Sequence, residues 1–600
     1  MKDRNRASIS ALEELYEEYQ IKEYLKLLRD PDLLLLHAPS VYDFRKMLIV
    51  PSPIADLVPS GTFYEMYPIG FLFLGDYLER HGIRVRVINL ATRMLEKPNF
   101  DVESCIKRYR PSAFGIDLHW LPHCQGSIEI ARLCKRIHPD VPVIFGGFTA
   151  TMYRNELMQY PEIDYILSGD STEEPLRKLL LALKGKERLE NIPNLIYRNP
   201  DTGEVVENPL SYVPEDLAHL GNVYTYGIKS MVKNLDPWSI RACKNWWSYP
   251  VTLVLTCRGC KYNCRLCGGS AWTMRECFGR EKPAFRSPEQ IIADIKTINK
   301  YTGAPAWVIG DLRQGGDDFA EEILGGIRKI HPRNRLVFEL FSPAPEEYFE
   351  RLNDCVPDYA LEFSVESHDE KVRRATGKHF TNQELEQNIR WALDNGCKRF
   401  ELFFMIGLPQ QTTDSVKETV AYCGHLMKTY GTRVTVLITP FGPFVDPFCV
   451  AHAKPEEHGY KILCNTIADY QKALVNPHWR DMLGYETTWM TKQDIVDSTY
   501  YALLELNRMK EEYGQISTRY MKQMDLFIRE NMALLDRLDN TMRVNGPVQR
   551  EKELAEVKRE ADDLFGRSYF VKEEIKWPIH GIKFNYINML RIALRKNNKT

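Results

Sequence analysis

"CRGCKYNCRLCGG", residues 257–269, sets four thiols within eleven positions of a 600-residue chain whose other cysteines are scattered. Upstream, "YPVTLVLT" (249–256) is a short apolar, β-branched run that reads as a buried strand. Gly259, Gly268 and Gly269 break the cysteine segment into a loop. The thiols therefore follow a strand's carboxyl end, the edge where α/β folds bind their ligands. Gaps of three and two residues let Cys260, Cys264 and Cys267 curl around one small object, and soft thiolates favour zinc or an iron–sulfur cluster. A structural zinc wants a fourth ligand. Cys257 could supply it, whereas no second C-x2-C or histidine pair follows at suitable spacing. Three ligands to a four-iron cluster would leave one iron open to a substrate.

Downstream, Ser287 reads as an N-cap before Pro288 and an apolar helical period, "SPEQIIADIKTINKY". "AWVIGD" (306–311), "RLVFELF" (335–341), "ALEFSVES" (360–367), "RFELFFMIGLP" (399–409) and "VTVLITPF" (434–441) read as strands, with helical patterns between most of them. Such alternation predicts βα units around a parallel sheet. The first 190 residues repeat the rhythm. "DLLLLHAPS", "RVRVINL", "SAFGIDLHW", "VPVIFGGFTAT" and "DYILSGD" are strand-like, and helical segments separate them. This predicts an open doubly wound domain in which Gly146, Gly147 and Gly169 let a large flat ligand approach the backbone. The first strand leads into "HAPSVYDF" and not G-x-G-x-x-G, which argues against a nicotinamide dinucleotide.

The C-x3-C-x2-C spacing, with "RGCKYNC" and "RLC", resembles the radical S-adenosylmethionine (radical SAM) superfamily signature. The resemblance implies that Cys260, Cys264 and Cys267 hold a [4Fe-4S] cluster whose open iron chelates SAM, and that electron transfer splits SAM to a 5'-deoxyadenosyl radical. It implies that Leu266 packs near the adenine and leaves Cys257 structural. "FSVES" with "KVRRATGK", and "FFMIGLPQQT", look like stretches that clasp SAM in this superfamily, which nominates Glu366 and Arg373; for Arg373 a surface ion pair is the competing reading. "PIGFLFLGDYLERHG", "VIFGGFTAT" and "YILSGDSTEEP" resemble the cobalamin-binding domain found ahead of such barrels, which adds Phe148 and Thr149 to the three glycines. Asp117 and His119 in "GIDLHWLPHC" superficially match D-x-H-x-x-G, but they follow the third strand and Pro122 stands at the glycine. His119, Trp120 and Leu121 are expected to shield the lower face of the corrin, with no protein ligand below cobalt.

The organisation expected is an N-terminal helix (1–30), a cobalamin-binding Rossmann-like domain (31–190), a linker with a hairpin (191–245), a partial parallel (βα)6 radical SAM barrel (246–455) and a mostly helical C-terminal domain (456–600). Lysine plus arginine total 79 against 81 acidic residues, so no basic field points to nucleic acid. No apolar run reaches the ~20 residues that span a bilayer, and a soluble, cytoplasmic protein with reduced cysteines is expected. The function implied is methyl transfer from SAM, via methylcobalamin, to an unactivated sp3 carbon. A low-potential ferredoxin or flavodoxin would donate electrons. The substrate could be a protein or peptide, with the Cα of a glutamine in methyl-coenzyme M reductase as one candidate. The alternatives are a cobalamin-dependent rearrangement or ring closure without methyl transfer, and a cofactor-bearing sensor. tRNA methylthiotransfer would need a second cysteine set and a basic RNA module, and neither is visible.

Overall fold

The computed structural model describes residues 30–51, 53, 69–199, 201–238, 241, 246–566 and 577–594. The helix expected over residues 1–30 lies outside them, apart from residue 30 itself.

β1 (Leu33–His37), β2 (Val85–Asn89), β3 (Ala113–Asp117), β4 (Val143–Gly146), β5 (Tyr165–Leu167), β6 (Leu195–Arg198) and β7 (Val205–Glu207) form one sheet, ordered β2-β1-β3-β4-β5-β6-β7. The first five strands are parallel, and every residue of β1 and β3 is buried. Continuous apolar runs are what a sheet covered on both faces requires. Leu33 and Leu35 pack with Phe71 and Leu78 of the helix Gly70–Arg80 and with Leu176 and Leu179 of the helix Glu173–Ala182. Leu34 and Leu36 belong to the opposite core, with Ile128 and Ala131 of the helix Cys124–Ile137. The order reverses between β1 and β3, which opens a crevice at their carboxyl ends.

Residues 191–245 are less of a linker than expected. The hairpin joins the first sheet, β6 antiparallel to β5 and β7 antiparallel to β6. Asn194 locks its base: the side-chain oxygen accepts from Ser211 N and Tyr212 N, and the amide donates to Tyr212 O.

β8 (Thr252–Leu255) begins the second sheet, and the two-residue strands β9 (Cys257–Arg258) and β10 (Ala284–Phe285) pair beside it. β11 (Ala306–Ile309), β12 (Leu336–Leu340), β13 (Tyr359–Glu366), β14 (Phe400–Ile406) and β15 (Val434–Pro440) complete six parallel strands, ordered β15-β14-β13-β12-β11-β8. Between β10 and β11, Ser287 and Gln290 form a capping box on the helix Pro288–Tyr301. Alternate strand residues face inward and stack in layers. Leu253, Trp307, Val337 and Ala360 are in register and form the lowest layer. Glu339, Glu362 and Glu401 form a carboxyl layer above it. Trp307 Nε1 donates to Glu362 Oε1 at 2.6 Å and ties the two layers together.

The C-terminal region is mostly helical, with helices Lys492–Glu512, Thr518–Met542 and Pro547–Gly566, but it opens with an antiparallel pair, β16 (Tyr460–Ile462) and β17 (Tyr485–Thr487), joined through two short helices. Its end returns to the barrel. Trp577 packs on Val251, Trp307, Val337 and Ala360, and the Arg399 guanidinium sits 3.4 Å over its ring. Trp479 is fully buried, whereas Trp489 is 38% exposed. No described helix is long and apolar enough to cross a membrane.

Candidate active site

A cavity of about 680 Å³ runs from the interior of the first domain to the cysteine loop. Leu35, Gly115, Ile144 and Leu167 of the first sheet line its inner end, and Gly146, Gly147, Phe148, Gly169, His119 and Trp120 line its rim. Leu253, Leu255, Ile309, Cys257, Arg258, Gly259 and Gly269 wall the opposite side. The carboxyl edges of both sheets thus face one space. Its size and mainly apolar walls suit a large planar ligand with few polar contacts, and cobalamin fits that description.

Gly147 has φ +114 and ψ 176, and a Cβ there would lie 2.7 Å from His119 N and 2.8 Å from its Cα. This glycine's missing side chain is therefore used by the His119 loop rather than by a ligand. Thr149 donates to the His119 carbonyl through N (3.3 Å) and Oγ1 (3.1 Å), pinning that loop. The His119 ring lies 4.7 Å from Trp120 and 4.6 Å from Phe148 between centroids, and Phe148 reaches Phe278 of the barrel domain at 4.5 Å. Burial pushes His119 down to about 4, so it is a neutral imidazole near pH 7. Two expected shielding or binding residues stand elsewhere. Leu121 is buried in the core beneath the loop, and Thr149 is 2% exposed, its hydroxyl spent on the backbone; neither lines the cavity. Below the rim, His37 Nδ1 lies 3.0 Å from both Asp117 carboxylate oxygens, a buried pair that sequence spacing did not reveal.

In the cysteine loop, Cys260 and Cys264 are partly buried and Cys267 is exposed. Tyr262 N donates to Cys260 Sγ at 3.4 Å, and Gly269 N to Cys267 Sγ at 3.3 Å. Amides aimed at sulfur stabilise thiolates and tune a cluster, so the donor set suits an iron–sulfur centre. Cys257 is buried, with its thiol pushed up to about 11 by burial and its Sγ 3.7 Å from the Gly259 carbonyl. Two segments back the loop: Arg265 N donates to Thr376 O at 2.9 Å, and Gly268 N to Asp446 Oδ2 at 2.8 Å.

Leu266 is buried in the main core. Glu366, at φ +72, pairs with Lys378 Nζ at 2.8 Å; burial pushes the Cys264 thiol up, and the nearby Lys378 charge offsets only part of that. Arg373 departs from both readings. It is fully buried, its guanidinium donating to Ser367 O at 3.0 and 2.8 Å, to Phe380 O at 2.8 Å and to Asn382 Oδ1. Oxygens of the segment that follows β13 accept four hydrogen bonds from this arginine, so it braces that segment instead of reaching a ligand or the surface.

The two domains also meet through buried ion pairs. Arg258 forks onto Glu173, Nη2 to Oε1 at 2.6 Å and Nη1 to Oε2 at 3.1 Å, and Arg280 Nη2 reaches Asp170 Oδ1 at 3.0 Å. Burial alone would raise the Glu173 carboxyl; Arg258 and His219 overcome it and hold it below the ordinary carboxylate range.

Residues 62–177 match the B12 binding domain family, and residues 254–423 match the Radical SAM superfamily. A hopanoid C-3 methylase of Methylococcus capsulatus is 26% identical over 316 residues, which is 50% of this chain but only 55% of that protein. An uncharacterized methyltransferase of Pyrococcus horikoshii is 22% identical over 64% of this chain and 78% of its own length. Among solved structures, the radical SAM methyltransferase TsrM of Kitasatospora setae, with cobalamin and a [4Fe-4S] cluster bound, aligns over 89% of this chain and 99% of its own at TM-score 0.55 and 16% identity. OxsB, a cobalamin-dependent SAM radical enzyme, aligns over 94% of this chain and 78% of its own at TM-score 0.52 and 14% identity. At such identities the two likenesses establish the fold.

Proposed function

Because the chain is a cobalamin-dependent radical SAM enzyme, with its B12 binding domain ahead of its radical SAM domain, we propose that it transfers a methyl group from SAM to an unactivated sp3 carbon. The reading rests on one observation: a single cavity is walled by the first sheet's edge and by the cysteine loop. When bound, cobalamin supplies a methyl carrier, and the cluster supplies the electron that cleaves SAM to a 5'-deoxyadenosyl radical.

The protein's own part is placement and exclusion. Cys260, Cys264 and Cys267 hold the cluster, with the Tyr262 and Gly269 amides directed at two of their sulfurs. The Glu366–Lys378 pair offers polar groups to SAM, and Leu266, buried in the core, anchors the loop that carries Cys267. Gly146, Gly147, Phe148 and Gly169 would shape the rim that holds cobalamin, and the ring of His119, held between Trp120 and Phe148, would shield the bound corrin. Apolar walls keep water from reactive groups. An external low-potential ferredoxin or flavodoxin provides electrons, in keeping with an anaerobic cytoplasmic setting.

The relatives' names specify a hopanoid for one, and one TsrM structure holds a tryptophan substrate. The glutamine of methyl-coenzyme M reductase gains no support from them, and we carry the substrate forward only as a carbon lacking activation. The test is stoichiometry. Anaerobic turnover should yield S-adenosylhomocysteine and 5'-deoxyadenosine in equal amounts, with a product heavier than substrate by one CH2. Product formed with 5'-deoxyadenosine alone would replace methyl transfer by a rearrangement or ring closure.

A further inference from the structure

The ion pairs between the domains join two loops that serve different cofactors. Gly169, Asp170, Thr172 and Glu173 wall the cobalamin cavity from the first domain, and Cys257, Arg258 and Gly259 wall it from the base of the cysteine loop. Arg258 stands two positions before Cys260. Its fork onto Glu173 spans 85 positions of sequence, and its Nη1 also reaches Ser171 Oγ at 3.0 Å. Arg280, 110 positions from Asp170, shares that hydroxyl at 3.5 Å and donates to Pro214 O at 2.9 Å. The side chains of Glu173, Asp170 and Arg280 are 1%, 2% and 3% exposed, so solvent screens these contacts little. Gly259, at φ +88, is packed so closely that a Cβ would lie 2.8 Å from Arg280 Cδ. The cluster loop thus rests on one arginine and is held by the other.

We propose that Arg258 and Glu173 couple the loading of the two cofactors. Gathering Cys260, Cys264 and Cys267 about a cluster fixes the loop and the backbone of Arg258; the fork then fixes Glu173 and the 169–173 wall against which cobalamin binds. Each cofactor raises the protein's affinity for the other, and by the same factor, because coupling free energy is reciprocal. A bidentate guanidinium–carboxylate pair suits this role, since its two parallel hydrogen bonds transmit orientation as well as charge. Arg258 and Glu173 are positioning residues on this account. The inference rests on the two-cofactor reading of the site but not on what reaction follows.

The test is anaerobic titration of the full-length protein with hydroxocobalamin, cluster-free and after cluster reconstitution, with iron content measured in parallel. Wild-type protein should bind cobalamin about tenfold more tightly when the cluster is present, within the range usual for coupled sites. In Glu173→Gln and Arg258→Lys the ratio of the two affinities should fall to about one, while both variants still take up the cluster. Ser171→Ala, which removes only the shared hydroxyl, should retain an intermediate ratio and serves if either charged-pair variant fails to fold. General destabilisation weakens binding equally in both forms and leaves the ratio unchanged, so the ratio isolates coupling. A wild-type ratio of one, or a full ratio persisting in the variants, overturns the proposal. A failure of methyl transfer would leave these affinities untouched and would count against the proposed reaction alone.

Discussion

Replacing Gly147 with alanine tests whether the His119 loop defines the cobalamin rim. At φ +114 and ψ 176 the backbone lies in a region essentially reserved for glycine, and an L residue there costs about 1–3 kcal/mol. The new Cβ would also meet His119 N at 2.7 Å, His119 Cα at 2.8 Å and the Leu118 carbonyl carbon at 2.8 Å, all of them backbone atoms. Rotamer changes cannot relieve those contacts, and forced overpacking adds roughly 1–3 kcal/mol. A total near 4 kcal/mol follows for Gly147→Ala. Gly82→Ala is the matched control: its φ is +77, but nothing lies within 4 Å of the added atom, so only a left-handed penalty of about 1–2 kcal/mol applies. Urea unfolding of the two cofactor-free variants should separate them by roughly 2 kcal/mol or more. Moving residues 118–120 also disturbs His119 and Trp120 on the cavity rim, so cobalamin retention after desalting should fall at least tenfold in Gly147→Ala and stay unchanged in Gly82→Ala. Equal urea midpoints, or wild-type cobalamin binding by Gly147→Ala, would refute the account of this loop.

Alanine at Cys260, Cys264 or Cys267 should abolish the cluster's visible absorbance and SAM cleavage together, while Cys257→Ala keeps both; iron counting after anaerobic reconstitution distinguishes them. Glu339 carries a pH signature: burial lifts its carboxyl from 4.5 to about 7, so the folded state binds a proton that the unfolded chain has released between those values. Its contribution is fully present below pH 4.5 and is lost as pH rises to 7, by roughly 3 kcal/mol, and Glu339→Gln should flatten that segment of the stability profile. Arg373→Met strands the Ser367 and Phe380 carbonyls and should cost about 3–5 kcal/mol, while the KM for SAM in the folded fraction stays at its wild-type value; a KM shift without destabilisation would return Arg373 to the ligand. The Co(II) paramagnetic resonance spectrum should lack splitting from a histidine nitrogen, and His119→Ala should still bind cobalamin; a triplet that disappears in the variant would make His119 a ligand.

Much of the architecture is local, and for that reason it was legible. Strand and helix periods, a proline at the first helical position after Ser287, and three thiols at fixed spacing each act over a few residues. Contacts made across the chain left no such trace. Arg373 sits in a stretch resembling a SAM clasp, yet its donors are decided by how the end of β13 turns. Leu121 and Thr149 neighbour rim residues in sequence, but a short helical turn and a backbone hydrogen bond direct them away from the cavity. The hairpin at residues 195–207 reads correctly as a hairpin, but nothing within it states that β5 will accept it as a neighbour. Arg258 and Glu173 are each an ordinary charge until folding brings them to 2.6 Å.

The return of Trp577 to the barrel floor sets an order of events during synthesis. β15 ends at Pro440, and the floor's cover is not made until Trp577. At ~5–20 residues per second this leaves the lumen open from below for on the order of ten seconds after the last strand has left the ribosome, and longer by the time needed to clear the exit tunnel. Until then the apolar floor of Trp307, Val337 and Ala360 is uncovered, and the polar groups that water can solvate, the carboxyl layer of Glu339, Glu362 and Glu401, lie one layer further in.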